Sequence, residues 1–430
     1  MIFNLSKYNN HWSTKKLSEL GDFKRGKSKH RPRNDKRLFE NGIYPLIQTG
    51  DVKESNIFIG EYSKQYNDFG LKQSKIWPKG TLCITVAANI AETAILSYDM
   101  CFPDSVVGFS ANNDECTEIF MHYIFSYIRK TIKSRIQGSI QDNINLEYLT
   151  GISFKIPEKQ KLLKIEKILL DLDLKIELNN NINVQIKSLV KLIYDYWFVQ
   201  FDFPNKNGEP YKSSGGKMIY EKELNREIPK DWVKCKLGDV IKKIGTGLNP
   251  RNNFKLGGGN NYYITIKNIE QGKVILDDNC DRIDDSALEI INKRSDLNKG
   301  DILYTSIQPV GTTYFVQEAP CNWNINESVF TIRPDCEKVS SEFLYCFLSG
   351  DYIKAYTDNA SAGSVHKGIR HESLKDCKFI LPPKDIIKKF TKNVTELLSK
   401  QYLIEKENRE LIRLRDWLLP MLMNGQVTVK

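Results

Sequence analysis

The chain repeats itself, and this constrains its fold more than any other feature. Trp12-Ser-Thr-Lys-Lys-Leu17 recurs as Trp232-Val-Lys-Cys-Lys-Leu237, and Leu20-Gly21-Asp22 as Leu237-Gly238-Asp239. Lys79-Gly80-Thr81-Leu82 recurs as Lys299-Gly300-Asp301-Ile302, Ile156-Pro157 as Leu381-Pro382, and Trp197 as Trp417. Gly138-Ser-Ile-Gln-Asp-Asn-Ile144 has its counterpart in Gly363-Ser-Val-His-Lys-Gly-Ile369. The spacing between copies stays between 217 and 225 residues along all 430 residues. That period is far too long for a solenoid, so one unit is built twice with loop-sized insertions.

Each unit has two parts. Residues 1–157 and 231–383 are rich in short β-type runs such as Thr81–Val86, Tyr262–Ile266, Asp301–Thr305 and Ser328–Ile332, punctuated by Gly, Asn, Asp and Pro. Each also holds one helix candidate, Glu118–Lys133 and Ser341–Asp358. The pattern predicts an α+β domain with a curled sheet. Residues 158–199 and 384–430 read as long helices. Their apolar residues step by three and four: Leu162, Ile165, Leu169, Leu172, Ile176, then Asn179 and Asn183, then Ile186, Val190, Ile193 and Trp197. The second copy runs Val394, Leu397, Gln401, Ile404, Asn408, Leu411, Arg415, Leu418. This is a heptad seam broken by polar residues, where a buried Asn sets register at a cost in stability. Antiparallel pairing would hide both seams and hold the two α+β domains apart. The alternative is a pair of ordinary core helices. Residues 200–230 are turn-rich and polar and are expected to form a surface crossover.

The chemistry-bearing stretches take their places in this frame. Lys24, Arg25, Lys27, Lys29, Arg31, Arg33, Lys36 and Arg37 form a dense basic run in a turn-rich loop. Such a loop suits phosphate contacts, and Arg can also fork onto guanine. The bland alternative is a solvated charged loop. The matching region of the second copy, Gly245 to Asn253, offers Asn249, Arg251 and Asn252 for base edges. A second candidate surface is the glycine-flexed segment with Gln137, Ser139, Gln141 and Asn143, matched by Ser364, His366 and Lys367. The net charge of +10 and pI of about 8.9 fit a polyanionic partner.

Several classes are argued against. Gly21-Asp-Phe-Lys-Arg-Gly-Lys-Ser28 matches the P-loop pattern, but a polar segment precedes it and Pro32 breaks any helix immediately downstream. A phosphate cradle needs a buried strand before it and a helix after it. Pro334-Asp-Cys-Glu-Lys338 lacks the acid spacing of a nuclease, and its repeat partner does not carry it. The nine cysteines contain no C-x-x-C pair, and five histidines give no zinc pattern, so reduced thiols and no metal are expected. Tyr123-Ile-Phe125 and Tyr345-Cys-Phe347 are expected in the core. No stretch approaches the roughly 18 apolar residues of a membrane span, and the protein is expected in the cytoplasm.

The layout resembles the specificity subunits of Type I restriction-modification systems. The likeness rests on the domain opening with Trp12 and Leu20-Gly21-Asp22, the close on Gly138-Ser139 and Ile156-Pro157, and the helix after them. It extends to the mid-chain Tyr196-Trp-Phe-Val-Gln-Phe-Asp-Phe-Pro204 and to the tail Trp417-Leu-Leu-Pro-Met-Leu-Met-Asn-Gly-Gln-Val427. It implies two target recognition domains joined by two long antiparallel coiled-coil helices. It implies no catalytic site and no cofactor. Each domain would read one half of a split double-stranded DNA site. The helices would set the spacing and bind two methyltransferase subunits, and motor-nuclease subunits would join that core. The second copy lacks the strongly basic stretch, so the two halves are expected to read different sequences. The rival reading is a duplicated coiled-coil scaffold that assembles partner proteins without reading DNA.

Overall fold

A computed structural model of the chain describes residues 2–112, 114–137, 145–361 and 368–429. The fold is two compact units, residues 1–181 with 405–430, and residues 182–404.

In the first unit the centre is a five-stranded sheet. Its order is Gly21–Arg25, Val106–Ala111, Leu82–Thr85, Thr93–Leu96, Phe58–Ile59. The first four strands are mutually antiparallel, with Phe109 opposite Phe23 and Cys83 opposite Ala94. Leu82–Thr85 is buried at every position, as expected of a central strand covered on both faces. Helix Glu118–Gln137 packs on this sheet and buries Phe120, Tyr123, Ile124, Phe125 and Ile128. A four-stranded sheet of Lys64–Tyr66, Tyr44–Leu46, Met100–Cys101 and Ile76–Trp77 completes the domain. Ser13–Lys16 pairs with Ser153–Ile156, which brings the chain to the start of the first long helix, Lys159–Tyr194.

The second unit repeats the plan. Ile241–Thr246, Val329–Pro334, Ile302–Thr305 and Thr313–Phe315 form a sheet in the same order, again antiparallel. Val233–Lys236 pairs with Lys378–Leu381 before the second long helix, Lys384–Met423. The expected helix over Ser341–Asp358 is instead two, Ser341–Leu348 and Asp351–Ser361, parted at Ser349-Gly350. Tyr345 and Phe347 are buried, as are Tyr123 and Phe125 in the first unit. The segment expected as a polar crossover is more ordered than that. It carries a hairpin, Met218–Glu221 with Arg226–Pro229, and buries Phe201 and Phe203 against Trp232. Aromatic area outweighs the polar composition there.

The long helices pair antiparallel. In the first unit Asp173 meets Arg415 while Asn179 meets Asn408. In the second, Tyr194 and Trp197 pack on Phe390. Counted from Pro157 and Pro382, Leu162, Ile165 and Leu169 match Ile387, Phe390 and Val394, and all six are buried. The same count pairs Trp197 with Leu422, both buried, and leaves Trp417 exposed. The Trp197–Trp417 repeat is therefore a likeness of letters and not of position. The polar breaks in the seam differ too. Asn179 donates to Asn408 at 2.8 Å and to Glu407 at 2.7 Å, and Asn408 donates to Asn180 at 3.1 Å. Asn183, the match of Asn408, is buried with neither amide atom partnered among the described residues. The match of Asn179 is Ile404, which offers no polar group.

Candidate nucleic-acid interface

The basic run begins on a strand and not in a loop. Lys24 and Arg25 end the edge strand Gly21–Arg25, opposite Gly108 and Val107. Lys24 is spent on Asp22 at 2.9 Å. The chain then turns at Gly26. A Cβ there would lie 2.3 Å from the carbonyl oxygen of Pro103 and 2.4 Å from that of Phe102, so only glycine fits. The amide of Lys27 donates to Phe102 O at 3.2 Å, which pins the root of the loop. No helix follows within the motif; the next element is a single helical turn at Lys36–Leu38. The P-loop lookalike thus has no helix dipole aimed at its Lys27.

Beyond that root the cations divide. Arg33 Nη2 lies 2.6 Å from Asp104 Oδ1, and Arg31 Nη2 lies 4.0 Å from Asp104 Oδ2. Arg31 also folds back on its own loop, donating through Nη1 to Ser28 O at 2.7 Å and His30 O at 2.9 Å. Arg25 donates to the Asp104 carbonyl at 3.3 Å. Asp35 accepts from Arg37 and lies 2.8 Å from His30 Nε2. Those contacts, Arg37 first and His30 next, hold its carboxyl far below the usual carboxylate range. Lys27, Lys29 and Lys36 are exposed and have no acid in ion-pair reach among the described residues. Surface pairs of this kind contribute little to stability, but they fix where each cation points.

The second unit presents the same turn with less charge. Gly247 is buried, and a Cβ on it would lie 1.7 Å from Ile325 O. Asn253 closes a tight turn, its amide donating to Pro250 O at 2.7 Å and its Nδ2 to Asn249 O at 2.9 Å. Phe254 packs edge-on to Tyr263, whose hydroxyl donates to Leu248 O at 2.6 Å. This leaves Arg251 and Asn252 exposed and Asn249 half-buried. Arg251 has no hydrogen bond or ion pair among the described residues.

Two features escaped the reading of the sequence. The loops share Pro32-Arg33-Asn34 and Pro250-Arg251-Asn252. The strand that returns beside each loop opens Asp104-Ser105-Val106 in one copy and Glu327-Ser328-Val329 in the other. Short repeats of this sort were legible but are hidden by shifts in spacing. The remaining candidates, Ser139, Gln141, Asn143, Ser364, His366 and Lys367, lie outside the described residues, as does the side chain of Gln137.

The family described as "Type I restriction modification DNA specificity domain" matches residues 9–188 and 229–413, one match on each copy. The chain belongs to that family. Two relatives are the MjaIX specificity subunit of Methanocaldococcus jannaschii and the HindI specificity subunit of Haemophilus influenzae. The first is 23% identical over 425 residues, covering 97% of this chain and 94% of the relative. The second is 23% identical over 458 residues, covering 92% and 97%. Among solved structures, the S subunit of M. genitalium matches 98% of this chain and 99% of its own with a TM-score of 0.61 at 16% identity. The specificity-subunit fold, two α+β domains with paired long helices, is therefore shared. Members of the family are non-catalytic. No helix among the described residues is long and apolar enough to cross a membrane.

Proposed function

We propose that this specificity subunit reads a bipartite double-stranded DNA site, each unit taking one half through its Gly26 or Gly247 loop. One observation carries the reading. The same glycine-pinned turn, bearing the same Pro-Arg-Asn, is built twice and dressed with different charge. A duplicated frame with divergent loops is what two different half-sites require. The first loop supplies exposed Lys27, Lys29 and Arg33 for phosphates and base edges, and the second supplies Arg251, Asn252 and Asn249. The segments around Ser139 and Ser364 are proposed as further contacts on repeat position alone.

The long helices are proposed to dock two methyltransferase subunits, with motor-nuclease subunits joining that assembly. Their outer faces support this. In the first unit Leu163, Leu174, Leu178, Leu414 and Trp417 are exposed, and in the second Leu189, Leu192 and Leu403. Apolar side chains in such number on helix surfaces favour a protein partner over water. A scaffold that never reads DNA would share these faces but would not need the paired arginine loops.

The test is a binding titration of the assembled methyltransferase on the site it methylates, at several salt concentrations, wild type beside Arg31→Ala/Arg33→Ala. The mutant is expected to bind its site more weakly, with about 1–3 kcal/mol lost for a base contact. A lost phosphate contact would lower the log–log salt slope by about one per charge. Affinity and slope equal to wild type would exclude this loop from the interface.

A further inference from the structure

Asp104 is an acid on a face that must approach a polyanion, and family membership leaves it unexplained. It stands at the start of strand Val106–Ala111, across from the turn that carries Arg31-Pro32-Arg33. Its carboxylate reaches both arginines, and its carbonyl accepts from Arg25. None of the three guanidinium side chains is in the core; Arg31 and Arg33 are 56% and 50% exposed and Asp104 is 40% exposed. Burial therefore does not account for the cluster. The two arginines are not equivalent. Arg31 gives both Nη1 hydrogens to its own loop, whereas Arg33 commits only Nη2 to Asp104. A guanidinium has five N–H donors in a rigid fork, so Arg33 keeps most of its donors for another acceptor.

Resting on the DNA-reading function proposed above, we infer that Asp104 is a positioning residue for sequence discrimination, aiming Arg33 at a base edge and withholding it from phosphate. The carboxylate does two things at once. It holds the arginine in one rotamer before DNA arrives, which lowers the ordering cost of a specific contact. It also places a negative charge where a phosphate would otherwise sit, an element that works against non-specific binding. A base edge carries no full charge and does not suffer that repulsion. The repeat keeps the acid but not the clamp. Glu327, also an acid before Ser-Val, occupies the matching place in the second unit, beside the loop of Arg251. There it lies 3.5 Å from the Tyr263 hydroxyl, and Arg251 remains unclamped among the described residues.

The assembled methyltransferase is titrated with a duplex carrying the site that the wild type methylates and with a random duplex of equal length, at several salt concentrations. Asp104→Asn is expected to tighten random-duplex binding and steepen its salt slope by about one, as the freed arginine neutralises a further phosphate. The cognate-to-random ratio should fall by about tenfold, the scale of one good base contact. Asp104→Glu, which restores the charge, should recover most of the ratio. A ratio within about twofold of wild type in Asp104→Asn overturns the inference. Equal losses in Asp104→Asn and Asp104→Glu also overturn it, since loop damage then explains both. Arg33→Ala separates the two layers. If it leaves the ratio unchanged, DNA reading by this loop has failed; if it lowers the ratio while Asp104→Asn does not, only the positioning role has.

Discussion

Where the first unit buries Asp173 against Arg415 and Tyr123, the second buries Leu398 and Val190 at the matching positions. Asp173 takes 2.8 Å and 2.9 Å hydrogen bonds from Arg415 and the Tyr123 hydroxyl. The second unit makes the same helix–helix layer from hydrocarbon alone. A layer further on, Asn179, Asn180 and Asn408 satisfy one another in the first unit, while the second sets Asn183 and Ile404 there. His122, against the sheet of the first unit, is replaced by Leu344 in the second. At these matched positions one duplicated frame thus carries polar side chains in one copy and mostly apolar ones in the other. Packing fixes the shape of each layer, and polarity is free to drift as long as every buried group keeps a partner. In the helix seam, Asn183 has no such partner among the described residues.

The sharpest break is Asp173→Ala. It removes the acceptor of the buried Tyr123 hydroxyl and one of the two carboxylates that hold Arg415, which keeps Asp416 at 2.7 Å, and should destabilise the first unit by about 2–4 kcal/mol. Installing the second unit's residues, Asp173→Leu with Arg415→Val, should cost less, because a gain of up to about 4 kcal/mol from replacing the pair offsets the about 1–3 kcal/mol of the Tyr123 hydroxyl left without its acceptor. Denaturant unfolding of the full chain, with hydrogen exchange followed unit by unit, measures both. Equal losses in the single and double variants would show that the ion pair is not interchangeable with an apolar layer.

Next in size is the asparagine layer, where one substitution should have opposite signs in the two copies. Asn408→Leu removes an acceptor from Asn179, which keeps Glu407, and a donor from Asn180, and should cost about 1–3 kcal/mol. Asn183→Leu, close in shape, removes an amide that has no partner among the described residues and should stabilise by about 1–2 kcal/mol. The same unfolding measurements decide. A loss in Asn183→Leu would mean that its amide is satisfied in solution, for example by buried water.

The smallest expected difference is one of pH. Burial first, then the nearby charges of Arg129 and Arg415, push the His122 imidazole down to about 3 from an ordinary value near 6.5. Its Nδ1 lies 3.0 Å from the Thr93 hydroxyl. The unfolded chain therefore takes up this proton first. The stability contributed by burying neutral His122 is complete above about pH 6.5 and is lost as pH falls from there toward 3. His122→Leu, the second unit's residue, should flatten the fall of the first unit's melting midpoint between about pH 6.5 and 4. A slope identical to wild type would show that other groups carry the acid sensitivity.

The duplication, the α+β class, the long helices and the basic loop were all legible in the residue order. Repeats and periodicity survive in one dimension, because a sheet or a helix seam imposes a short local period on its own residues. The departures have equally physical causes. Asp173 is not legible in the sequence, because a charge beside an apolar stripe looks solvent-facing until a partner from another element arrives. Trp197 and Trp417 were matched by letter, but helix register, counted from the prolines, buries one and exposes the other. Residues 200–230 looked like linker because their polar turns outnumber Phe201 and Phe203, which find Trp232 only in three dimensions. The same holds at the interface. Sequence alone determined that eight cations lie between Lys24 and Arg37. Only the tertiary structure decided that Lys24, Arg31, Arg33 and Arg37 are held by Asp22, Asp104 and Asp35, leaving Lys27, Lys29 and Lys36 open. Charge is a property of a residue and can be counted along the chain. Neutralisation depends on distance, and the distance from Arg33 to Asp104 is set by a strand that returns 71 residues later.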